Sequence, residues 1–279
     1  MPELPEVETI KNAIKKGIGA AKIIGIEVRN SRLRSEIPED LAQKIINTTI
    51  TDYQRIAKYI VINLSNGISL LWHMGMSGKI KLTDTLSQEL DKHDHVIIAT
   101  TNGIIIYNDP RRFGLLTYCP TADLSNCKWL NNVGIDPFDK ELDGQYLYSR
   151  LQKKSCPIKI ALLDQEIIAG IGNIYASEIL YESRISPLRK SKDISLKECD
   201  ILVRNTQKVL NRAILAGGST LRDYKKPDGS MGYFQNQHCV YNHTGQKCPD
   251  CQCDIKKTGG IKRIVMGGRS TFYCESLQK

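Results

Sequence analysis

The residues best suited to chemistry stand at the two ends of the chain. It opens Met1-Pro2-Glu3-Leu4-Pro5-Glu6-Val7-Glu8. Removal of a methionine that precedes so small a residue would leave Pro2 as a secondary amine. An α-amino group titrates near ~7.7–8, so a sizeable fraction is neutral at physiological pH. A neutral amine with an acid beside it, Glu3, can attack an aldehyde-like carbon and form an iminium. The same letters also suit a plain helix start, with Pro5 in the first turn and Glu3, Glu6 and Glu8 near the positive end of the helix dipole. At the far end, Cys248-Pro249-Asp250-Cys251 puts two thiols at the spacing of half a zinc site.

The elements that must position these groups can be read from periodicity. Val7, Ile10 and Ile14 recur at helical spacing behind Pro5, so residues 5–16 read as an amphipathic helix. Short β-rich runs follow: Lys22–Arg29, Tyr59–Leu64, Ile68–Trp72, Lys79–Leu82, Val96–Thr100 and Ile104–Tyr107. Asn66-Gly67 and Asn102-Gly103 sit between apolar runs and predict tight hairpins, hence antiparallel pairing. The first half is therefore expected to be a β-sandwich or barrel with one N-terminal helix. From about Gly144 the period becomes helical. Asn173 reads as the N-cap of a helix through Glu182, and Ser195-Leu196-Lys197-Glu198 as the capping box of a helix ending near Gly217. Leu202, Thr206, Val209 and Ala213 share its buried face. The last forty or so residues return to short β-like runs among cysteines and glycines.

Composition bounds the function. Of 279 residues, 41% are hydrophobic and 25% charged, which excludes a disordered or collagen-like chain. No apolar run approaches the ~20 residues of a membrane helix. The start lacks a basic-then-apolar leader, so a cytoplasmic protein without membrane attachment is expected. Nine cysteines in such a chain suggest thiols or a metal site rather than disulfides. The net charge of +9 is unevenly placed: residues 1–150 hold 18 basic and 18 acidic side chains, residues 151–279 hold 21 and 12. Such asymmetry points to nucleic acid or an anionic membrane, or to no more than a solvated basic surface.

The opening resembles, almost letter for letter, the start of bacterial formamidopyrimidine-DNA glycosylases (Fpg/MutM). The resemblance runs on through Arg55–Tyr59 (RIAKY), His73–Gly78 (HMGMSG), Lys92–His95 (KHDH), Asp109–Gly114 (DPRRFG), Gly170–Glu178 (GIGNIYASE) and Gly268–Cys274 (GRSTFYC). It implies an α+β multidomain fold: an N-terminal antiparallel β-sandwich with its N-terminal helix (1–133), a helical helix-two-turn-helix domain (134–237) and a zinc-finger-like β-hairpin (238–279). It implies excision of oxidised purines (8-oxoguanine, formamidopyrimidines) from damaged double-stranded DNA by a monomer, followed by strand cleavage. Pro2 then matches the nucleophile at C1′, Glu3 the acid assisting base departure, Lys58 a proton donor in β-elimination and Arg269 the arginine of the δ-step. Extracting a base costs a few kcal/mol of unstacking, and Met76, Arg111 and Phe113 match the residues inserted in its place. His93, Lys154, Lys159 and Asn173 match DNA contacts, and residues 222–233 the loop that covers the everted base. Taken alone, Lys58 reads as a strand-edge lysine, Lys154 as part of a solvated linker, and Met76 and Phe113 as core. A sister class acting on oxidised pyrimidines, and a damage-binding protein with impaired turnover, stay open as alternatives; a zinc-ribbon RNA binder would leave the N-terminal motif unexplained.

The chain departs from the family at the finger. The resemblance implies one structural zinc on Cys248, Cys251, Cys274 and a fourth cysteine, but Leu277 stands at that fourth position, and Thr258-Gly259-Gly260 lengthens the intervening loop. Leucine cannot coordinate a metal. Cys253, His243 and Cys239 are the candidate fourth ligands; otherwise the hairpin holds by packing without zinc.

Overall fold

The computed structural model describes residues 1–85, 89–219, 226–227 and 229–279. They form two compact units: residues 1–131 with 214–235, and residues 132–213 with 236–279.

In the first unit, helix α1 (Leu4–Ile18) begins one residue ahead of the expected start, where Glu6 reaches back, its carboxylate accepting the Glu3 N–H at 2.8 Å. Then come β1 (Ile23–Val28), α2 (Leu41–Ile45), β2 (Ile50–Ile56), β3 (Tyr59–Leu64), β4 (Ile68–His73), β5 (Lys79–Thr83), β6 (Asp94–Thr100), β7 (Gly103–Asn108) and β8 (Leu115–Pro120). They make two four-stranded antiparallel sheets, in the orders β1-β6-β7-β5 and β2-β3-β4-β8. Both Asn-Gly pairs are hairpin turns, joining β3 to β4 and β6 to β7, with Gly67 and Gly103 at positive φ. Side chains two apart share a face. Ile60, Ile62, Leu70, Trp72, Val96, Ile98, Ile105 and Tyr107 accordingly meet in one core, while Ile97, Ile104 and Ile106 form a separate apolar patch. Helix α1 adds Val7, Ile10, Ile14 and Ile18 to that core and contacts strands of both sheets. Trp72 meets Tyr107 edge to face at 5.4 Å, a contact adding about 0.5–1.5 kcal/mol beyond burial.

The second unit holds α3 (Gly144–Leu151), α4 (Ile158–Leu162), α5 (Asn173–Glu182), α6 (Leu196–Leu215, its last residues passing into the first unit), the short α7 (Ile255–Thr258) and a hairpin of β9 (Lys262–Met266) and β10 (Arg269–Tyr273). The capping box is present: Ser195 N–H donates to Glu198 at 2.8 Å, and Glu198 N–H to Ser195 Oγ at 3.3 Å. Leu202, Thr206, Val209 and Ala213 are buried together on α6 as its spacing predicts. The cap of α5 is Gly172 rather than Asn173, whose side chain turns instead to β10. Strand β10 packs along α5, so the hairpin's position is set by the helix. Among the described residues no helix is long and apolar enough to cross a membrane.

Candidate active site

At the head of α1, Pro2 and Glu3 are buried, the latter only 4% exposed, while Met1 is 52% exposed. The Glu3 carboxylate accepts the Glu6 N–H as the other half of the capping box, which fixes it at the helix start. Glu6 does more than favour the dipole: besides the Glu3 amide, its carboxylate accepts the Ser219 N–H at 2.8 Å. A Cβ on Gly218 would stand 2.8 Å from that oxygen, so this glycine lets the segment approach. The turn between β2 and β3 carries Lys58. Ala57 there takes positive φ (54°), which lets two residues reverse the chain, and Lys58 is buried at 8% exposure rather than solvated. Across the β3–β4 ladder Tyr59 pairs with His73, their rings 4.9 Å apart. Burial, reinforced by the charges of Arg34 and Lys58, pushes the His73 imidazole down to about 4. It is therefore neutral at pH 7, and its Nδ1 accepts the Gly75 N–H at 3.0 Å.

A cavity of about 280 Å³ opens here, lined by Met1, Arg34, His73, Gly75, Met76 and Phe113. It brings the start of the chain together with two of the three expected wedge residues. Met76 and Phe113 are 40% and 46% exposed, so neither is core. Arg111 is also exposed, its guanidinium 4.7 Å from the Phe113 ring centroid. An apolar chain, an aromatic ring and a cation are thus displayed together. His93 is half-buried beside His95, their rings 6.2 Å apart. Arg34 and His73 went unassigned in the sequence. For His73 the signal was its place at the end of β4, where alternation turns it away from the Trp72 face; Arg34, in a loop, gave none.

In the second unit Lys159 is fully buried. Its ammonium donates to Asn173 Oδ1 (2.7 Å), Thr271 Oγ1 (2.6 Å) and the Ser270 carbonyl (3.0 Å). Asn173 in turn donates to the same carbonyl at 2.9 Å and to the Tyr241 hydroxyl at 3.4 Å. Lys159 therefore binds α4 to α5 and β10 from within. Arg269, at the first position of β10 behind Gly267 and Gly268, is exposed, as is Arg263 across the hairpin. Glu178, buried on α5, collects the backbone N–H groups of Cys239, Val240 and Tyr241 at 2.7–3.0 Å and so fixes Tyr241. Lys154 is paired with Asp164 at 2.9 Å, which raises its pKa and offsets its charge. Of the expected loop, residues 222–225 and 228 lie outside the described residues; nearby, Gly229 N–H closes a turn onto the Lys226 carbonyl at 2.8 Å.

Among the described residues, the thiols that converge are Cys248, Cys251 and Cys274, all buried, their sulfurs within 4.8 Å of one another. Cys251 and Cys274 are 3.7 Å apart, close to the ~3.8 Å edge of a tetrahedron with ~2.3 Å Zn–S bonds. Backbone N–H groups of Cys251 and Leu277 donate to the sulfurs of Cys248 and Cys274. Three sites of a metal centre therefore fit. Cys253 Sγ lies 2.6 Å from Cys251 Sγ and bonds the hydroxyls of Thr258 and Ser276, the latter in the Cys274–Leu277 turn. The Cys239 thiol faces the Gln237 carbonyl, and Leu277 packs against the cysteine cluster as an apolar group.

Residues 1–116 match the model of the formamidopyrimidine-DNA glycosylase N-terminal domain, and residues 133–225 that of the formamidopyrimidine-DNA glycosylase H2TH domain. The formamidopyrimidine-DNA glycosylase of Rhodospirillum rubrum is 40% identical over the full length of both chains. That of Rickettsia massiliae is 42% identical over all of this chain and 97% of its own. Among solved structures, a Lactococcus lactis Fpg mutant in complex with Fapy-dG-containing DNA superposes with a TM-score of 0.90 at 32% identity, covering all of both chains. The Lactococcus lactis Fpg complex with abasic-site DNA has the same TM-score and identity over 99% of each.

Proposed function

Because the chain belongs to the formamidopyrimidine-DNA glycosylase family, we propose that it excises oxidised purines, formamidopyrimidines and 8-oxoguanine, from duplex DNA and then nicks the strand. After loss of Met1, the Pro2 nitrogen attacks C1′ of the lesion nucleotide. The C1′–N9 bond breaks and the base leaves with a proton, with Glu3 assisting sugar-ring opening. The resulting iminium acidifies the C2′ proton. Its removal expels the 3′ phosphate (β-elimination), with Lys58 as proton donor, and δ-elimination with Arg269 releases the 5′ phosphate. The single observation that carries this reading is the buried Pro2-Glu3 pair heading α1, in a unit that also buries Lys58 on the β2–β3 turn and opens a cavity lined by Met1, Met76 and Phe113. A neutral His73 beside Lys58 supports it, since it adds no second positive charge against the ammonium.

Catalysis is assigned to residues 1–133, and the grip on phosphates to 134–237 and 238–279. Met76, Arg111 and Phe113 fill the vacated stack; His93, Lys154 and Asn173 face the backbone, and Lys159 acts through Asn173 and β10. One zinc is held by Cys248, Cys251 and Cys274, with Cys253 as the fourth ligand, and steadies the hairpin that presents Arg269. The protein works as a monomer in the bacterial cytoplasm. Borohydride trapping on a duplex with a single 8-oxoguanine tests the core of the reading. A covalent complex is expected with wild type, and peptide mass analysis is expected to place the reduced adduct on the Pro2 nitrogen. Absence of the wild-type adduct on this lesion, with an adduct on an oxidised pyrimidine, reassigns the substrate; absence on both removes the catalytic reading.

A further inference from the structure

Asp109 stands where the display of Met76, Arg111 and Phe113 is decided. It is completely buried. One carboxylate oxygen accepts the Ser77 hydroxyl at 2.5 Å; the other accepts the Tyr107 hydroxyl at 3.0 Å and the Gly114 N–H at 2.8 Å. Its backbone is engaged as well. The N–H donates to the His93 carbonyl at 3.0 Å, and the carbonyl accepts the Arg112 N–H at 3.1 Å and meets His95 Nε2 at 2.9 Å. Three of these bonds, to Ser77, Gly114 and Arg112, end beside a displayed residue. Ser77 follows Met76 and its Oγ also accepts the Arg111 N–H at 3.1 Å. Gly114 follows Phe113, and Arg112, between the two, is held at positive φ (55°).

The packing leaves this arrangement little freedom. A Cβ on Gly114 would lie 1.6 Å from the Tyr107 hydroxyl, one on Gly78 2.8 Å from it, and one on Gly75 2.4 Å from the Phe113 carbonyl carbon. The two loops therefore touch backbone to backbone, and a single acid bonds both. A carboxylate has enough lone pairs for the three donors; an amide of the same shape keeps an acceptor on one side and turns a donor toward the other.

We infer that Asp109 is a positioning residue for lesion extraction: it locks the 74–78 and 109–114 loops in register so that Met76, Arg111 and Phe113 enter the stack together. The inference rests on the glycosylase reading. It separates two activities, because filling a vacated stack matters in a duplex and has no counterpart when the lesion is already single-stranded.

The test compares wild type, Asp109→Asn and Ser77→Ala on 8-oxoguanine in duplex DNA and on a single-stranded oligonucleotide carrying an abasic site. One buried polar group left unpaired lowers duplex excision by roughly ten- to hundredfold in Asp109→Asn, and less in Ser77→Ala. The loss is expected in kcat more than in KM, with single-stranded cleavage within about twofold of wild type. Equal losses on both substrates make Asp109 a general structural residue and overturn the inference, as does undiminished duplex excision. If Asp109→Asn does not fold, the duplex-to-single-strand ratio of Ser77→Ala decides in the same way. A wild-type enzyme that leaves 8-oxoguanine untouched but cleaves the abasic strand defeats the lesion assignment, and with it this inference; wild-type excision with unaltered variants defeats the inference alone.

Discussion

Exchanging residues at the cysteine cluster should change stability by different amounts with and without metal. Three sulfurs already lie within 4.8 Å of one another, so zinc binding needs little further ordering of that part of the chain. Cys253 neighbours Cys251 and bonds Ser276 but is not one of the three sulfurs that lie within 4.8 Å of one another, so it must shift to complete a tetrahedron. Cys253→Ser should weaken zinc by at least the ~10–100-fold that loss of even an outer-shell partner costs. With free zinc at a hundred times the wild-type Kd, wild type gains ~2.7 kcal/mol, and a variant a hundredfold weaker only ~0.4 kcal/mol. The difference, about 2 kcal/mol, is readable as a lower Tm in zinc and no change in chelator. Leu277→Cys does the reverse. It gives up part of an apolar side chain packed on the cluster, about 1 kcal/mol without metal, and supplies a competing fourth thiolate with it. Zinc per chain, competition with a chromophoric chelator, and the thiolate charge-transfer band of the cobalt form measure this directly. An unchanged zinc Kd in Cys253→Ser refutes the fourth-ligand assignment; a wild-type stoichiometry near zero refutes the metal altogether.

The capping box gives a pH prediction. The Arg189 guanidinium and the Ser195 N–H hold Glu198 down at about 2, against 4.5 unperturbed. Its folded pKa is depressed, so its stabilisation is present above about 4.5 and is lost as pH falls through about 2; Glu198→Gln should cost about 1 kcal/mol at pH 7 and converge on wild type in acid melts. Gly114→Ala, with its Cβ 1.6 Å from the Tyr107 hydroxyl, should cost at least the ~1–3 kcal/mol of overpacking. Gly67→Ala, at a φ of 79° with open space around it, should lose only backbone strain, about 1 kcal/mol, and thermal melts rank the two. DNA affinity should fall with salt, and Arg269→Gln should reduce the slope of log K against log salt by about 1. Lys154→Gln, whose partner Asp164 already offsets the charge, should change it less in the same titration.

Local pattern revealed what depends on neighbours in sequence. Both Asn-Gly hairpins, α1 and the α6 box were legible because turn chemistry, capping and a 3.6-residue period lie within a few residues of each other. Strands β2 and β8 were not. A register shift between Ile50 and Asp52 breaks the alternation of β2, and β8 ends in Pro120 at the edge of its sheet, a tolerated place for proline that reads as a break. Lys159 shows the limit most plainly. The resemblance matched Lys159 to a DNA contact, yet its side chain is buried and donates a hydrogen bond to Thr271, 112 residues away. The motif around Asp109 was visible, but its three donors come from Ser77, Tyr107 and Gly114, and only folding shows them meeting at one acid.

The charge surplus of residues 151–279 changes meaning once partners are assigned. Lys208 and Arg212 are paired with Glu182, Arg184 with Asp250, Arg189 with Glu198 and Lys154 with Asp164. Lys159 is interior. Surface pairs of this kind add little to stability and leave little field for a ligand. Lys247, Lys256, Lys257, Arg263 and Arg269 are exposed and, among the described residues, take part in no ion pair. All five fall within residues 247–269, where Asp250 is engaged by Arg184 and Asp254 caps α7. Lys153, Lys190, Lys192, Lys197, Arg204 and Lys279 are likewise exposed and, among the described residues, in no ion pair. The field available to a polyanion is therefore shared between the helical part and the hairpin with the loop leading to it. Loss of metal should thus reach DNA affinity through misplacement of the hairpin and loop charges before it reaches the chemistry at Pro2, which the first unit supports with its own core.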